Sequence, residues 1–227
     1  MVRERLGAVE VLRLDRPARR NAMDTALLGD LLAALDDCAD AHAVVVSTTD
    51  VAALSAGADV GEALDPAEGV ARMELFTRIY AAIEALPVPT IAVCVGNCVG
   101  AGAELAAGCD LRVGGDNLKL AWAGARHGVP VGPARLAPLI GVSRAKDWVL
   151  TGRVIGAEEA LAAGFLHAAV PAADAEARAV ELASGLGDVR VLKGMFADLD
   201  ETADRVGYEN QRLMEFQRTG AGLPRKT

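Results

Sequence analysis

One stretch of the sequence combines glycines with a carboxylate at a spacing that could do chemistry. The segment VGNCVGAGAELAAGCD, residues 95–110, places three glycines in front of a helix-forming run and Glu104 just inside that run. Glycines permit positive φ and close backbone approach, and the first turn of a helix offers unpaired N–H groups at the positive end of its dipole. The pattern therefore predicts either an anion-binding site or an ordinary strand-to-helix turn.

Alternating strands and helices must position this segment. Short apolar runs predict buried strands, whereas apolar residues at helical spacing predict helices. The run Thr90–Val95 predicts the strand that leads into the glycines, and Pro87 and Pro89 end the helix before it. Asn21 or Asp24 can cap the first helix. Further strands are predicted at 9–14, 43–46, 111–113, 118–120 and 166–170, and helices at 27–35, 70–86, 143–152, 157–163 and from 172 to about 219.

Composition and charge exclude several classes of protein. The 227 residues, 52% of them hydrophobic, can form one large domain with a helical appendage. A net charge of −8 argues against a general nucleic-acid binder, because phosphate contacts need a basic surface. No run approaches the roughly 18 apolar residues of a membrane span, so we expect a cytoplasmic protein without membrane contact. The four cysteines form no CxxC pair, which favours reduced, packed thiols over a metal site.

Four segments in this order resemble the crotonase superfamily, which is the enoyl-CoA hydratase/isomerase family. They are RLDRPARRNAM at 13–23, LSAGADV at 54–60, IAVCVGNCVGAGAELAAGCDLRV at 91–113 and LTGRVIGAEEALAAGFLHAAVP at 150–171. The resemblance runs from about residue 3 to 210 at about the family spacing. Several ordered segments are far more specific than one glycine motif.

The resemblance implies an α/β fold, a crotonase-like spiral of ββα units with a C-terminal helical region. Residues 1–171 would form the spiral core with the acyl-CoA site, and residues 172–227 a helical oligomerisation region. It also implies a homotrimer or a dimer of trimers, an acyl-CoA thioester as ligand, and no cofactor apart from the coenzyme A that is part of the substrate.

In the family, two backbone N–H groups bind the thioester oxygen, and the resemblance assigns them to Ala56 and Ala101. Such donors stabilise the negative charge that an enolate places on that oxygen. The usual family residue at position 101 is glycine. Alanine keeps the N–H but resists positive φ, so the oxyanion hole requires a negative φ at Ala101.

Glu104 matches the first of two acidic residues that family hydratases use, and its carboxylate is expected to face the reacting carbons. The alternative is a carboxylate that merely favours a helix N-terminus. The second acidic position aligns with Gly124, which carries no side chain. Arg126 and His127 lie close by in sequence and are candidates to replace it.

The nucleotide end of coenzyme A needs positive charge in this acidic protein. Arg16, Arg19 and Arg20 flank the turn where family members contact it, and arginine suits phosphate through paired donors. A solvated charged loop is the alternative for each of them. Asp59 is expected to support its own loop by accepting backbone N–H groups. The remaining residues that the resemblance assigns to acyl-CoA binding are Ala22, Ala56, Gly57, Ala58 and Asp59.

The resemblance thus predicts a lyase or isomerase of fatty acid metabolism that hydrates an enoyl-CoA or shifts its double bond. Other chemistry that uses the same oxyanion hole, such as decarboxylation or thioester hydrolysis, remains an alternative. A catalytically silent member that binds coenzyme A or a partner is a third, and Gly124 is its best support.

Overall fold

The computed structural model describes residues 1–219, apart from the side chain of Thr202. Three short 3-10 turns lie at Pro17–Arg19, Ala123–His127 and Ala172–Asp174. The strands and helices, in chain order, are β1 (Val2–Leu6), β2 (Val9–Leu14), α1 (Thr25–Asp36), β3 (Ala43–Thr48), β4 (Ala53–Ser55), α2 (Pro66–Ala85), β5 (Thr90–Cys94), β6 (Asn97–Val99), α3 (Ala101–Gly108), β7 (Leu111–Gly115), β8 (Lys119–Ala121), α4 (Pro133–Ile140), α5 (Val142–Thr151), α6 (Ala157–Ala162), β9 (Ala168–Val170), α7 (Ala175–Ser184), α8 (Arg190–Leu199) and α9 (Thr202–Arg218).

The larger sheet has the strand order β1-β2-β3-β5-β7-β9. Only the β1–β2 pair is antiparallel, because a tight turn joins these strands, whereas the parallel pairs need crossover connections. The crossover helix α1 begins where Asp24 Oδ1 accepts the N–H of Leu27 at 2.9 Å, so Asp24 is the N-cap. Helix α7 covers the opposite face with Ala175, Ala179 and Ala183. With both faces covered, every residue of β3 is buried.

The smaller sheet, with the order β4-β6-β8, brings two loops side by side. Each of its strands has three residues, and the pairs are parallel. Ser55, at the end of β4, pairs with Cys98 of β6. The chain after β4 and the chain after β6 therefore leave the sheet together. They are the segments that the sequence predicts to bind the thioester.

The C-terminal helices pack on the body of their own chain. Helix α9 crosses α2 and α4 and buries Val206 and Leu213. Helix α8 instead exposes apolar side chains, among them Val191, Phe196 and Leu199. The division at residue 171 and the oligomeric role of the region after it stay predictions, and residues 220–227 of that region lie outside the described part.

The predicted alternation of strands and helices is confirmed, with four omissions. The sequence patterns did not predict β1, β4, β6 or α4. Strands β4 and β6 lead into the loops of the candidate site. Within residues 1–219, no helix has the length and apolar character to cross a membrane.

Candidate active site

A cavity of about 180 Å³ lies where the loops after β4 and β6 meet α2 and α9. Its wall is largely apolar. Ala58 and Ala101 line it from the two loops. The side chains that close it include Met73, Phe76 and Tyr80 from α2, Val129 and Val131 from the chain before α4, and Leu213 from α9.

Ala101 is the first residue of α3, and its N–H has no acceptor within the helix. The first helical bond runs from the N–H of Glu104 to the carbonyl of Gly100 at 3.0 Å. Positive φ falls on Gly100, at 52°, and not on Ala101. The condition for a donor at Ala101 is therefore met, because the glycine in front of it makes the turn.

The N–H of Ala56 is occupied, which contradicts the prediction that it binds the thioester oxygen. It donates to the carbonyl of Arg20 at 2.9 Å. Arg20 lies in the turn before α1 with a φ of 50°, so its carbonyl points to the loop after β4. A donor that already has a backbone acceptor is not free for a ligand, since an amide N–H carries one proton.

Ala58, two residues further along, has the free donor instead. The backbone groups on either side of Ala58 bond to Met23. The N–H of Met23 donates to the carbonyl of Gly57 at 2.8 Å, and the carbonyl of Met23 accepts from the N–H of Asp59 at 2.9 Å. These bonds turn the N–H of Ala58 away from Met23, and it makes no hydrogen bond with any residue of the described chain. Ala58 therefore replaces Ala56 as the partner of Ala101.

Gly57 brings the two donors together. A Cβ added there would lie 2.9 Å from the carbonyl oxygen of Val99 and 3.7 Å from the nitrogen of Ala101. The φ of Gly57 is also positive, at 98°. Only glycine combines this conformation with so close an approach, so Gly57 fixes the spacing between the loop and the start of α3.

Glu104 is fully buried and is not among the residues that line the cavity. The indole N–H of Trp122 donates to its Oε1, and Nη1 of Arg135 lies 3.2 Å from its Oε2. Burial, followed by the charge of Glu209, raises the pKa of Glu104 to about 7 against the opposing effects of Arg135 and Trp122. The carboxyl group thus lies behind the cavity wall, and its contact with reacting carbons stays a prediction.

Arg135 of α4 pairs with three carboxyl groups, those of Glu84, Glu104 and Glu209, and we call these four residues the Arg135 cluster. Its Nη1 also lies 3.0 Å from Oε1 of Glu209, and its Nε lies 2.7 Å from Oε1 of Glu84. The guanidinium faces the ring of Tyr80 at 4.7 Å, and Tyr80 in turn lines the cavity. Sequence reasoning missed Arg135 and Glu209. The available signal was Glu209 at the helical spacing of the buried residues of α9.

The wall opposite the start of α3 contains Gly124, and no carboxylate stands there. A Cβ at Gly124 would already lie 3.3 Å from Cβ of Val129 and from Cγ1 of Val131, so the two valines crowd the position of a second acid. Of the two proposed replacements, His127 lines the cavity. Arg126 instead donates to the carbonyl of Gly152 at 2.9 Å.

The three predicted phosphate-binding arginines differ in their partners. Arg16 is engaged within the protein, because its guanidinium bonds to Asp59 at 2.6 Å and to Asp24 at 3.0 Å. The side chains of Arg19 and Arg20 are exposed and make no hydrogen bond or ion pair with other described residues. Phosphate binding by Arg19 and Arg20 stays a prediction, whereas Arg16 already has carboxylate partners.

Asp59 supports its loop, as predicted. Its Oδ1 accepts the N–H of Gly61 at 2.9 Å, and its Oδ2 accepts from Arg16. Burial alone would raise the pKa of Asp59, but the hydrogen bonds from Arg16 and Gly61 outweigh burial and lower it. Among the described residues, no group of three histidine, cysteine or acidic side chains could hold a metal ion.

Comparisons with known proteins agree with this geometry. The family model described as enoyl-CoA hydratase/isomerase matches residues 4–215. Over 192 residues the chain is 32% identical to the probable enoyl-CoA hydratase 2, mitochondrial, of Arabidopsis thaliana, which covers 80% of this chain and 63% of that protein. Over 184 residues it is 35% identical to the probable enoyl-CoA hydratase echA8 of Mycobacterium bovis, covering 78% of this chain and 71% of that protein.

Solved structures show the same fold. An enoyl-CoA hydratase from Bacillus anthracis superposes with a TM-score of 0.80 at 25% identity, covering 99% of this chain and 98% of that one. An enoyl-CoA hydratase/isomerase from Xanthobacter autotrophicus Py2 superposes with a TM-score of 0.84 at 24% identity, covering 99% and 89%. The predicted crotonase-like fold is thereby confirmed. The chain belongs to the enoyl-CoA hydratase/isomerase family of the crotonase superfamily.

Proposed function

We propose that the protein is an acyl-CoA enzyme that stabilises a thioester enolate, either as a hydratase or as an isomerase of an enoyl-CoA. One observation carries the proposal. Ala58 and Ala101 line one apolar cavity, and their N–H groups have no hydrogen-bond acceptor among residues 1–219. Two fixed donors aimed at one oxygen favour the charged enolate over the neutral thioester, and each such donor typically lowers the barrier by about 2.7–4 kcal/mol.

The donor at Ala101 has an additional advantage. It lies at the first position of α3, where the helix dipole favours negative charge. The apolar wall from Met73 to Leu213 excludes water from the acyl chain, which strengthens hydrogen bonds to the developing oxyanion. The backbone and the cavity therefore favour an enolate intermediate whichever group moves the proton.

Glu104 is the proposed proton-transfer group. It lies one turn after Ala101, and acting on a bound acyl chain requires its side chain to rotate from Trp122 toward the cavity. One carboxyl group can take a proton from one carbon and return it to another. Hydration also needs a group that activates water, and Gly124 leaves that position without a carboxylate. Double-bond isomerisation is therefore the reaction that a single acid serves best.

Other features of the chain support finer parts of the proposal. The exposed side chains of Arg19 and Arg20 suit the phosphates of coenzyme A, and no further cofactor is needed for this chemistry. The exposed apolar face of α8, with Val191, Phe196 and Leu199, supports a homotrimer or a dimer of trimers. A cytoplasmic location and a role in fatty acid metabolism stay predictions.

Turnover of a panel of 2-enoyl-CoA and 3-enoyl-CoA thioesters tests the proposal, with the products identified by mass spectrometry. We expect wild type to convert at least one thioester. Glu104→Gln should lower kcat by a factor of about 10² to 10⁴, the usual contribution of a general acid–base group. The exposed Glu215→Gln on α9 is the control and should leave kcat unchanged. Equal turnover by wild type and Glu104→Gln would remove Glu104 from the mechanism.

A second candidate is a member that binds acyl-CoA without converting it. The burial of Glu104 outside the cavity, together with the crowding of Gly124 by two valines, favours this alternative. Calorimetry with an acyl-CoA separates the two candidates. Binding without product from any thioester of the panel would support the silent member and contradict the enzyme.

A further inference from the structure

The Arg135 cluster contains more acidic than basic side chains, and most of them are buried. Arg135 of α4 meets Glu84 of α2, Glu104 of α3 and Glu209 of α9. The side chains of Arg135, Glu104 and Glu209 are 2%, 0% and 7% exposed. Three carboxyl groups beside one guanidinium oppose one another's ionisation, because like charges repel and burial disfavours each anion. Arg205 is a further positive charge, and it acts on Glu84. The cluster therefore favours protonation of one of the two more deeply buried carboxyl groups.

The other groups around Glu104 do not supply a second positive charge. Tyr80 of α2 faces Arg135, and burial raises its pKa well above the ordinary value, so it is neutral. On the sheet side, α3 packs on β5 and β6, whose titratable side chains are the thiols of Cys94 and Cys98. Hydrogen bonding to Cys94 and burial raise the pKa of Cys98 well above the ordinary value. Arg135 is thus the single cation in contact with Glu104 within the described chain.

Burial raises the pKa of all three carboxyl groups, and their contacts indicate which one is protonated first. Glu209 has two donors, since its Oε2 accepts the N–H of Ala134 at 2.8 Å and its Oε1 lies 3.0 Å from Arg135. Glu84 lies closest to the guanidinium, at 2.7 Å, and is partly exposed. Glu104 has the longest contact with Arg135, at 3.2 Å, and its other partner is the uncharged indole of Trp122. Glu104 is the group whose anion is least stabilised.

Glu104 and Glu209 share one nitrogen of the guanidinium. Both contacts go to Nη1, while Nε of Arg135 pairs with Glu84 and Nη2 makes no hydrogen bond within the described residues. The closer approach of Glu209 therefore weakens the contact that would stabilise a Glu104 anion. The helix that carries Glu209, α9, also places Leu213 in the cavity wall, so docking of α9 completes the cavity and the cluster together.

We propose that Glu209 is a positioning residue that acts through Arg135 and keeps a large fraction of Glu104 in the neutral carboxylic acid form at neutral pH. This proposal rests on the proposed function only for the catalytic role of Glu104. The protonation of Glu104 can be measured even on a protein that shows no turnover. A neutral Glu104 can deliver a proton to an enolate carbon, and it must lose its proton before it can act as a base. Helix α9, which carries Glu209, thereby sets the fraction of Glu104 that can donate a proton.

The test is a pH titration of the Glu104 carboxyl carbon by NMR on protein with carbon-13 in the glutamate side chains. Glu104→Gln identifies the Glu104 signal by its disappearance. In wild type we expect a midpoint of about 7. In Glu209→Gln, which removes one negative charge at nearly constant shape, the midpoint should fall by about one pH unit or more, a tenfold change in the proton-binding constant.

Two further variants serve as matched controls. Glu215→Gln removes an exposed carboxylate from the same helix and should leave the Glu104 midpoint unchanged. Glu209→Asp keeps the charge and should retain a midpoint closer to that of wild type than to that of Glu209→Gln. If Glu209→Gln does not fold, Glu209→Ala makes the same change in charge and leaves room for water beside Arg135.

Two results would overturn the proposal. One is a wild-type Glu104 that titrates near the ordinary glutamate value of about 4.3. The other is an unchanged Glu104 midpoint in a folded variant that lacks the Glu209 carboxylate. Failure of the proposed function is a separate outcome, because an inactive protein with a shifted Glu104 midpoint would still support the role of Glu209.

Discussion

The two groups that α3 contributes to the site are held in different ways. The donor at Ala101 is a backbone N–H, and its availability follows from the helix start and from Gly100. The carboxyl group of Glu104, three residues later, depends instead on Arg135 and Glu209, which belong to other helices. A backbone donor survives most side-chain changes. The protonation of a buried carboxyl group depends on every charge in contact with it, so Glu104 is the more fragile of the two groups.

The largest effect that separates the two groups is expected from Arg135→Met, which removes the guanidinium from the buried Glu104 and Glu209 and from the partly exposed Glu84. Leaving buried charges without their partner typically costs about 3–5 kcal/mol. Urea denaturation measures the free energy of unfolding. Arg153→Ala is the control, because its ion pairs with Asp147 and Glu159 are exposed and should contribute at most about 1 kcal/mol. Equal losses in both variants would contradict the buried cluster.

Ala101→Pro tests the backbone donor alone. Proline is favoured at the first position of a helix, where its missing N–H costs no helical bond. We expect kcat to fall by a factor of about 10² to 10³, which is the loss of one oxyanion donor, with little change in the urea midpoint. Ala101→Gly keeps the N–H and is the matched control. A Pro variant as active as the Gly variant would show that this N–H does not stabilise the transition state.

A smaller effect is expected in the pH dependence of stability. The folded-state pKa of Glu104, about 7, is above the ordinary value of 4.5, so the folded protein binds a proton that the unfolded chain releases between about pH 4.5 and 7. The contribution of Glu104 to stability is therefore fully present below that window and declines by at most about 1.4 kcal/mol per pH unit as the pH rises through it.

Glu104→Gln isolates this contribution. The difference in unfolding free energy, wild type minus variant, should decrease as the pH rises from 4.5 to 7, measured by urea denaturation at several pH values. A difference that does not change with pH would mean that Glu104 titrates normally in the folded protein.

The same contrast explains what the sequence could predict. Gly100 and the helical run after it indicate a helix start at Ala101, because local conformational preferences are enough for this. The pairing of the loop after β4 with the turn around Arg20 and Met23 is long-range. The sequence therefore could not distinguish Ala56, whose N–H is occupied, from Ala58, whose N–H is free. The family resemblance identified the motif but not which of its N–H groups is free.

The contacts of the Arg135 cluster were even harder to predict from the sequence. Arg135 and Glu209 are separated by 74 residues, and charged residues on helices are usually exposed. Only the crossing of α9 over α2 and α4 brings them together. The pattern of α9 showed that one side of the helix is buried, but it could not show which groups would surround the carboxylate on that side.

The position of the turn at Gly100 has a consequence for engineering. Since the positive φ falls on Gly100, position 101 has an ordinary helical backbone that accepts any L-residue other than proline without loss of its N–H. Its Cβ lies in the cavity wall beside the proposed thioester oxygen. A library of residues at position 101 would therefore vary the space next to the reacting carbonyl while the hydrogen-bond donor stays in place.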